Sequence, residues 1–300
     1  MVSYIIFDVV KKKVMHRGSV LGPVSTLRKM GHKVSDKIYS RIQGIPGIFS
    51  TKIAYIDKPS KRDPNYNLMI SDIDGNDSLS LFSSPQPIMS PSWSPDMQNI
   101  AYVSFEEGTS RIFIQKLSNA ERKGLKLEKG INSSPNWAPD GKQISAVLSK
   151  SGNPDIFIYD LELSSWFQLT NHFGIDTEPD WSPNSKKILF TSNRSGSPQL
   201  YEANTRTKRI KRLTFEGTYN ARGRYLPNGK GIIFVHRQNG VFHIATQNLR
   251  TGKIKILTDT RLDESPTVSP NGNVVLYATK DGDKDILAGI TLDGQTKFIM

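Results

Sequence analysis

Residues 134–148 read SPNWAPDGKQISAVL, and this pattern of a proline turn followed by an apolar run occurs five times in the chain. The other four copies align with it without gaps: SPSWSPDMQNIAYVS (90–104), EPDWSPNSKKILFTS (178–192), RGRYLPNGKGIIFVH (222–236) and SPTVSPNGNVVLYAT (265–279). The turn prolines are Pro95, Pro139, Pro183, Pro227 and Pro270, at spacings of 44, 44, 44 and 43 residues. A fixed period of this length is typical of a repeat architecture.

Each copy predicts two strands joined by a tight turn, since Pro-Asp or Pro-Asn favours a turn between them. The residues that end the first strand are expected to be equivalent: Trp93, Trp137, Trp181, Tyr225 and Val268. The second strand, such as IAYV at 100–103, is apolar on both faces and is therefore expected to be covered on both sides. A weaker hairpin follows, as in DIFIYDLELSSWFQLT at 155–170. Four strands in about 44 residues match one propeller blade.

The repeats therefore predict that residues 51–300 form an all-β six-bladed β-propeller with four-stranded blades. Five blades begin at the proline motifs, and residues 52–82 supply the later strands of another, with Ile53 in the place of Ile100. This first blade lacks an inner strand, and the last blade ends at residue 300, where the next inner strand is due. Because a propeller is usually closed by a strand from its other end, we expect a chain that lacks its closing strand.

Residues 1–50 differ in kind from the repeats. A strand-like YIIFDVV at 4–10 is followed by an amphipathic helix expected over residues 23–43, with Pro23 at its start and Gly44 to end it. One strand and one helix are too little for a domain. The segment is expected to be the tail of a small α/β domain.

Composition excludes several classes of protein. The 300 residues include no cysteine, so disulfides, thiolate nucleophiles and cysteine-ligated metals are excluded, and no apolar stretch is long enough for a transmembrane helix. The net charge of +12 is uneven: residues 1–50 carry +7 and residues 51–300 only +5. The basic run NTRTKRIKR at 204–212 has no interleaved aromatic residue, which favours a solvated strand edge over a nucleic-acid site.

Catalytic and metal-binding motifs are absent from the sequence. The five histidines, at 16, 32, 172, 236 and 243, are scattered and predict packing or surface roles. The acidic segments DIDGND (72–77) and DGDKD (281–285) have neither the sixth-position glycine nor the twelfth-position carboxylate of a calcium loop, so we expect turns. No catalytic residue, cofactor or metal ligand is predicted.

A row of polar residues recurs in register just before the predicted first strand of each repeat. In a propeller such residues gather around one mouth of the central channel, where they offer a surface assembled from several blades. A folded protein fits such a surface better than a small substrate does. The predicted partner-binding residues are Met89, Ser90, Ser134, Thr177, Glu178, Arg222, Asp263 and Glu264.

The motifs resemble those of the TolB family of the Tol-Pal envelope system. The resemblance covers essentially the whole chain and lies in these segments: HKVSDKIYSRIQGIPGIFSTKIAYI (32–56), PQPIMSPSWSPD (85–96), TEPDWSPNSKKILFTS (177–192) and LDESPTVSPNG (262–272). It implies a non-enzymatic scaffold in the periplasm that binds the peptidoglycan-associated lipoprotein Pal at the propeller mouth. It also implies support of outer-membrane integrity and of constriction during division. The family's TolA-binding segment has no counterpart among these residues, so no TolA contact is assigned.

Two other functions stay open at this point. Similar blades occur in prolyl-oligopeptidase-like serine hydrolases, although no catalytic elbow motif stands in the chain. The positive charge also allows a polyanion-binding propeller, which salt-dependent retention on DNA would reveal.

Overall fold

The structure, a computed structural model, describes residues 1–58, 64–260 and 262–300. The chain divides into two compact units. One comprises residues 1–53 and 70–79, and the other comprises residues 54–69 and 80–300. Among the described residues, no helix combines the length and the apolar character needed to span a bilayer.

The N-terminal residues form a hairpin followed by a helix. Strands β1 (Val2–Asp8) and β2 (Lys13–Val20) pair antiparallel. A short 3-10 turn over Val24–Thr26 leads into α1 (Leu27–Gln43). Gly44 ends the helix with a φ of 73°, and its N–H donates to the Ser40 carbonyl at 2.9 Å.

The sequence predicted one strand in this segment, and the structure has two. Strand β2, with the sequence KVMHRGSV, is largely exposed and polar, so it shows no apolar alternation that would mark it as a strand. The predicted helix over 23–43 is present, although its first turn is a 3-10 turn.

The repeats form a six-bladed β-propeller of antiparallel sheets. The sheet of blade 1 contains three described strands, β3 (Lys52–Asp57), β4 (Tyr66–Asp72) and β5 (Leu79–Ser84). Blade 2 contains β6 (Ile88–Trp93), β7 (Asn99–Ser104), β8 (Arg111–Lys116) and β9 (Arg122–Gly124). Blade 3 contains β10 (Asn132–Trp137), β11 (Gln143–Leu148), β12 (Asp155–Asp160) and β13 (Ser165–Gln168).

The last three blades repeat the same order. Blade 4 contains β14 (Asp176–Trp181), β15 (Lys187–Ser192), β16 (Gln199–Asn204) and β17 (Ile210–Arg212). Blade 5 contains β18 (Asn220–Tyr225), β19 (Gly231–Gln238), β20 (Val241–Asn248) and β21 (Ile254–Ile256). Blade 6 contains β22 (Glu264–Val268), β23 (Val274–Asp281), β24 (Lys284–Thr291) and β25 (Lys297–Ile299).

The register confirms the predicted equivalence of the three tryptophans. Trp93, Trp137 and Trp181 each end the first strand of a blade, and each pairs with the isoleucine that follows the turn: Ile100, Ile144 and Ile188. The same pairing joins Tyr225 to Ile232 and Val268 to Val275.

The apolar cores lie between consecutive blades. One cluster packs Val147 and Ile156 of blade 3 against Trp181 and Phe190 of blade 4. Another packs Val235 and Ile244 of blade 5 against residues of blade 6. In blades 3, 4 and 5 the second strand is therefore apolar on both faces because it packs against a neighbouring sheet on both sides.

The charged segments singled out in the sequence lie at turns. Residues 204–212 run from the end of β16 through an exposed turn into β17, and the 281–285 segment forms the tight turn between β23 and β24. In the 72–77 segment the Gly75 N–H donates to the Asp72 carbonyl at 2.9 Å, which closes a turn.

Candidate binding surface on the first strands

Each first strand of blades 2 to 6 contains a bulge at the same position of the repeat. The pairing with the second strand shifts between Met89 and Ser92 in blade 2, and at the equivalent positions in the other four blades. One residue within each bulge has a positive φ: Ser90 (56°), Ser134 (50°), Glu178 (56°), Arg222 (54°) and Ser265 (51°). We call these five residues the bulge residues.

The residue that follows each bulge residue accounts for the interruption in four of the five blades. It is a proline in four blades, at 91, 135, 179 and 266, and Gly223 in the fifth. Proline has no N–H to donate to the second strand, so the ladder of hydrogen bonds breaks there. A bulge also turns its side chain away from the ordinary alternation of the strand. The repeat thus presents one redirected side chain per blade.

Arg222 joins three of these blades. Its Nε lies 3.1 Å from Glu178 Oε1 on β14, and its Nη1 lies 3.3 Å from Glu264 Oε2 on β22. The same Nη1 donates to the Ser265 hydroxyl. One guanidinium therefore links carboxylates of blades 4 and 6 from its own position on blade 5.

Glu178 is fixed from a second direction. Its Oε2 accepts hydrogen bonds from the Arg222 backbone N–H at 2.9 Å and from the Thr191 hydroxyl at 2.8 Å. The three charged side chains remain open to solvent, with exposed fractions of 24% for Glu178, 39% for Arg222 and 47% for Glu264. This ion-paired group is ordered by its own contacts and still accessible to a partner.

A small cavity of about 100 Å³ adjoins the ion pairs. Its lining comprises Tyr219, Arg222, Val235, Phe242 and Glu264. The Tyr219 and Phe242 rings meet edge to face with centroids 5.2 Å apart. Burial, together with the nearby Glu178 carboxylate, raises the pKa of Tyr219, so its hydroxyl stays neutral and able to donate. Since small-molecule sites usually enclose about 300–1,000 Å³, this cavity suits one side chain of a partner better than a substrate.

The sequence placed the polar row before the first strands, whereas the structure places seven of its eight residues inside them. The residues Met89, Ser90, Ser134, Thr177, Glu178, Arg222 and Glu264 lie on β6, β10, β14, β18 and β22. The bulge was not predicted from the sequence, because each first strand was expected to begin only after the polar row.

Asp263 differs from the other seven residues. It is buried, and its carboxylate accepts hydrogen bonds from the Thr258 and Thr260 hydroxyls. Its repeat equivalents Asn132, Asp176 and Asn220 are buried too. This position stabilises the loop that enters the first strand, so it does not belong to the exposed surface.

Five residues that hydrogen-bond to the ion-paired group or line the cavity beside it were not predicted from the sequence: Thr191, Tyr219, Val235, Phe242 and Ser265. Ser265 is the repeat equivalent of Ser90, so strict use of the 44-residue register would have found it. Thr191 and Tyr219 carry no such signal, because their role depends on which residues the fold brings close to Glu178 and Arg222.

Residues 39–300 match PD40, the TolB β-propeller domain. The chain belongs to the TolB propeller family. A crystal structure of TolB from Acinetobacter baumannii superposes with a TM-score of 0.92 at 42% sequence identity, over 98% of this chain and 74% of that one.

Relatives named Tol-Pal system protein TolB match over shorter segments. The protein from Alcanivorax borkumensis is 43% identical over 135 residues, which is 44% of this chain and 31% of that protein. The one from Acinetobacter baylyi is 42% identical over 134 residues, covering 44% of this chain and 32% of that protein. The alignments thus span about a third of each TolB relative.

Proposed function

We propose that the bulge residues and their neighbours bind a folded protein partner, a peptidoglycan-associated lipoprotein similar to Pal. In this proposal the chain is a periplasmic scaffold of the Tol-Pal system that supports outer-membrane integrity and constriction during division, and it is not an enzyme. The names of its TolB relatives support the assignment to that system. No residue is assigned to a TolA contact.

The observation that carries the proposal is the linkage of three blades through Arg222. Glu178, Arg222 and Glu264 come from three separate strands, and their ion pairs leave each of them partly exposed. A partner that covers all three must be broad, which fits a folded protein. The carboxylates offer charge-assisted hydrogen bonds to basic groups or to N–H donors of that partner.

Isothermal titration calorimetry tests the proposal with the 300-residue chain and the soluble domain of the Pal-like lipoprotein from the same organism. The variant Arg222→Gln/Glu264→Gln removes one positive and one negative charge from the surface. The matched control, Glu162→Gln/Arg206→Gln, removes the same charges from exposed turns on the outer side of blades 3 and 4. Because a few buried contacts dominate most interfaces, we expect the first variant to lose about 1–3 kcal/mol of binding free energy, whereas the control loses none.

Wild-type affinity in both variants, with both folded by circular dichroism, would place the interface elsewhere. Binding that both variants lose equally would indicate a nonspecific dependence on charge.

A further inference from the structure

One cluster of potential metal ligands lies outside the binding surface, on α1, the last residue of β4 and the turn that follows it. His32 Nε2 lies 3.7 Å from Asp72 Oδ2 and 3.6 Å from Asp74 Oδ2. All three atoms lie within 4.8 Å of one another, and among the described residues this is the one group of at least three His or acidic side chains with that geometry.

Two of the three ligand atoms are buried without a hydrogen bond. Both His32 Nε2 and Asp72 Oδ2 are inaccessible to solvent and have no hydrogen-bond partner in the described structure. The Asp72 side chain is only 8% exposed. A buried polar atom without a hydrogen bond is destabilising, so the two facing atoms point to a ligand that satisfies both.

The other oxygen of each carboxylate is held in place. Asp72 Oδ1 accepts a hydrogen bond from Lys52 Nζ at 2.6 Å, and Asp74 Oδ1 accepts one from the Asn76 N–H at 3.2 Å. These contacts direct both Oδ2 atoms toward His32. In metal sites, hydrogen bonds of this sort, made to the ligand side chains by neighbouring groups, orient the ligand atoms.

Arg28 covers the cluster from the solvent side. It stands one helical turn before His32, donates to Asp74 Oδ2, and places its Nε 3.5 Å from Asp72 Oδ2. Its side chain is 39% exposed, so it is free to move aside. A cation that binds the two Oδ2 atoms therefore competes with this guanidinium for the same charges.

We propose that His32 Nε2, Asp72 Oδ2 and Asp74 Oδ2 bind a zinc ion, with Arg28 taking its place when the metal is absent. An imidazole nitrogen with two carboxylate oxygens suits zinc, whereas calcium and magnesium prefer oxygen ligands alone. Bonds of about 2.0–2.1 Å in a tetrahedral site place ligand atoms about 3.3 Å apart, so small side-chain shifts from the present distances suffice. The ion would tie α1 to the turn after β4.

Titration of the whole chain with zinc chloride tests this site by calorimetry. We expect one zinc per chain, with affinity at least about tenfold weaker in His32→Ala and in Asp74→Asn. The control His16→Ala removes a histidine from β2 and leaves the affinity unchanged. Arg28→Gln removes the competing charge, so it tightens zinc binding, and a weaker affinity in that variant would contradict the competition.

The melting temperature and a second variant provide further tests of the site. Zinc raises the melting temperature of the wild-type chain and of His16→Ala, whereas it does not raise that of His32→Ala. Asp74 is partly exposed, so Asp74→Asn serves if His32→Ala fails to fold. Absence of saturable binding by the wild-type chain, or undiminished binding by a folded His32→Ala or Asp74→Asn variant, would overturn the site. Equal binding of calcium or magnesium at the same residues would overturn the choice of metal.

Discussion

His236 is a buried histidine whose environment holds it neutral. It lies opposite His243 across the β19–β20 pair, and its Nδ1 is 2.8 Å from Asn220 Oδ1. The Asn220 amide nitrogen already donates to Gln199 and to the Glu216 carbonyl, so Asn220 Oδ1 is the acceptor and His236 Nδ1 carries the proton. Burial lowers the pKa of His236, the charge of His243 lowers it further, and Glu216 opposes this weakly.

This lowered pKa makes the stability of the chain depend on pH. Above the ordinary histidine value of 6.5 both folded and unfolded states hold the ring neutral. Below it the unfolded state binds the proton first, so the folded state loses stability as the pH falls toward the lower folded pKa. We expect the unfolding free energy of the wild-type chain to fall more between about pH 7.5 and 5 than that of His236→Gln.

Urea denaturation across this pH range measures the difference. His16→Gln, a change at a more exposed histidine, serves as the control for the loss of a histidine. Parallel curves for wild type and His236→Gln would show that His236 does not titrate differently in the two states.

Gly223 shows how the first strands fit between blades. It follows the bulge residue of blade 5, where four other blades have proline. A Cβ at this position would lie 2.7 Å from Leu189 Cδ2 and 3.0 Å from Leu200 Cδ2. Both leucines belong to blade 4 and are fully buried. The close approach of β18 to the preceding blade therefore requires glycine here.

Gly223→Ala is expected to destabilise the chain by about 1–3 kcal/mol through overpacking against these leucines. Leu189→Ala alone is expected to cost about 2–5 kcal/mol, because it leaves a cavity. In the double variant the added methyl group occupies part of that space, so the two costs add to less than their sum, by at least about 0.5 kcal/mol.

Chemical denaturation of the two single variants and the double variant measures this coupling. Gly31→Ala in α1, where an added Cβ meets no atom within 4 Å, serves as the control and is expected to be stabilising or neutral. Simple additivity of the two costs would mean that Gly223 and Leu189 do not restrict each other.

The sequence predicted the strands and turns well wherever they belong to the 44-residue repeat. The 44-residue period located the turn prolines and the tryptophans, because one packing solution recurs in each blade. It did not predict the left-handed backbone of Glu178 and Arg222, since neither residue type favours positive φ. Nor did it bring His32 together with Asp72 and Asp74, because residues so distant in sequence meet only through the fold.

The propeller is joined from blade to blade by polar contacts as well as by apolar cores. The backbone N–H that ends one first strand donates to a side chain of the preceding first strand: Trp137 to Ser92 at 3.2 Å, Trp181 to Asn136 at 3.4 Å and Tyr225 to Asp180 at 2.8 Å. The backbone N–H of Arg222, at the bulge of β18, follows the same pattern because it donates to the Glu178 side chain on the preceding first strand. The proposed binding surface is thus part of the contacts that align consecutive blades.

In the proposed function, a lipoprotein partner similar to Pal covers this surface. Hydrogen–deuterium exchange of the 300-residue chain, with and without the soluble domain of that partner, tests this proposal. We expect slower exchange in the first strands of blades 4, 5 and 6, over residues 176–181, 220–225 and 264–268, and unchanged exchange in the outer strands β13 and β17. Protection confined to the outer strands, with the first strands unaffected by bound partner, would contradict the account.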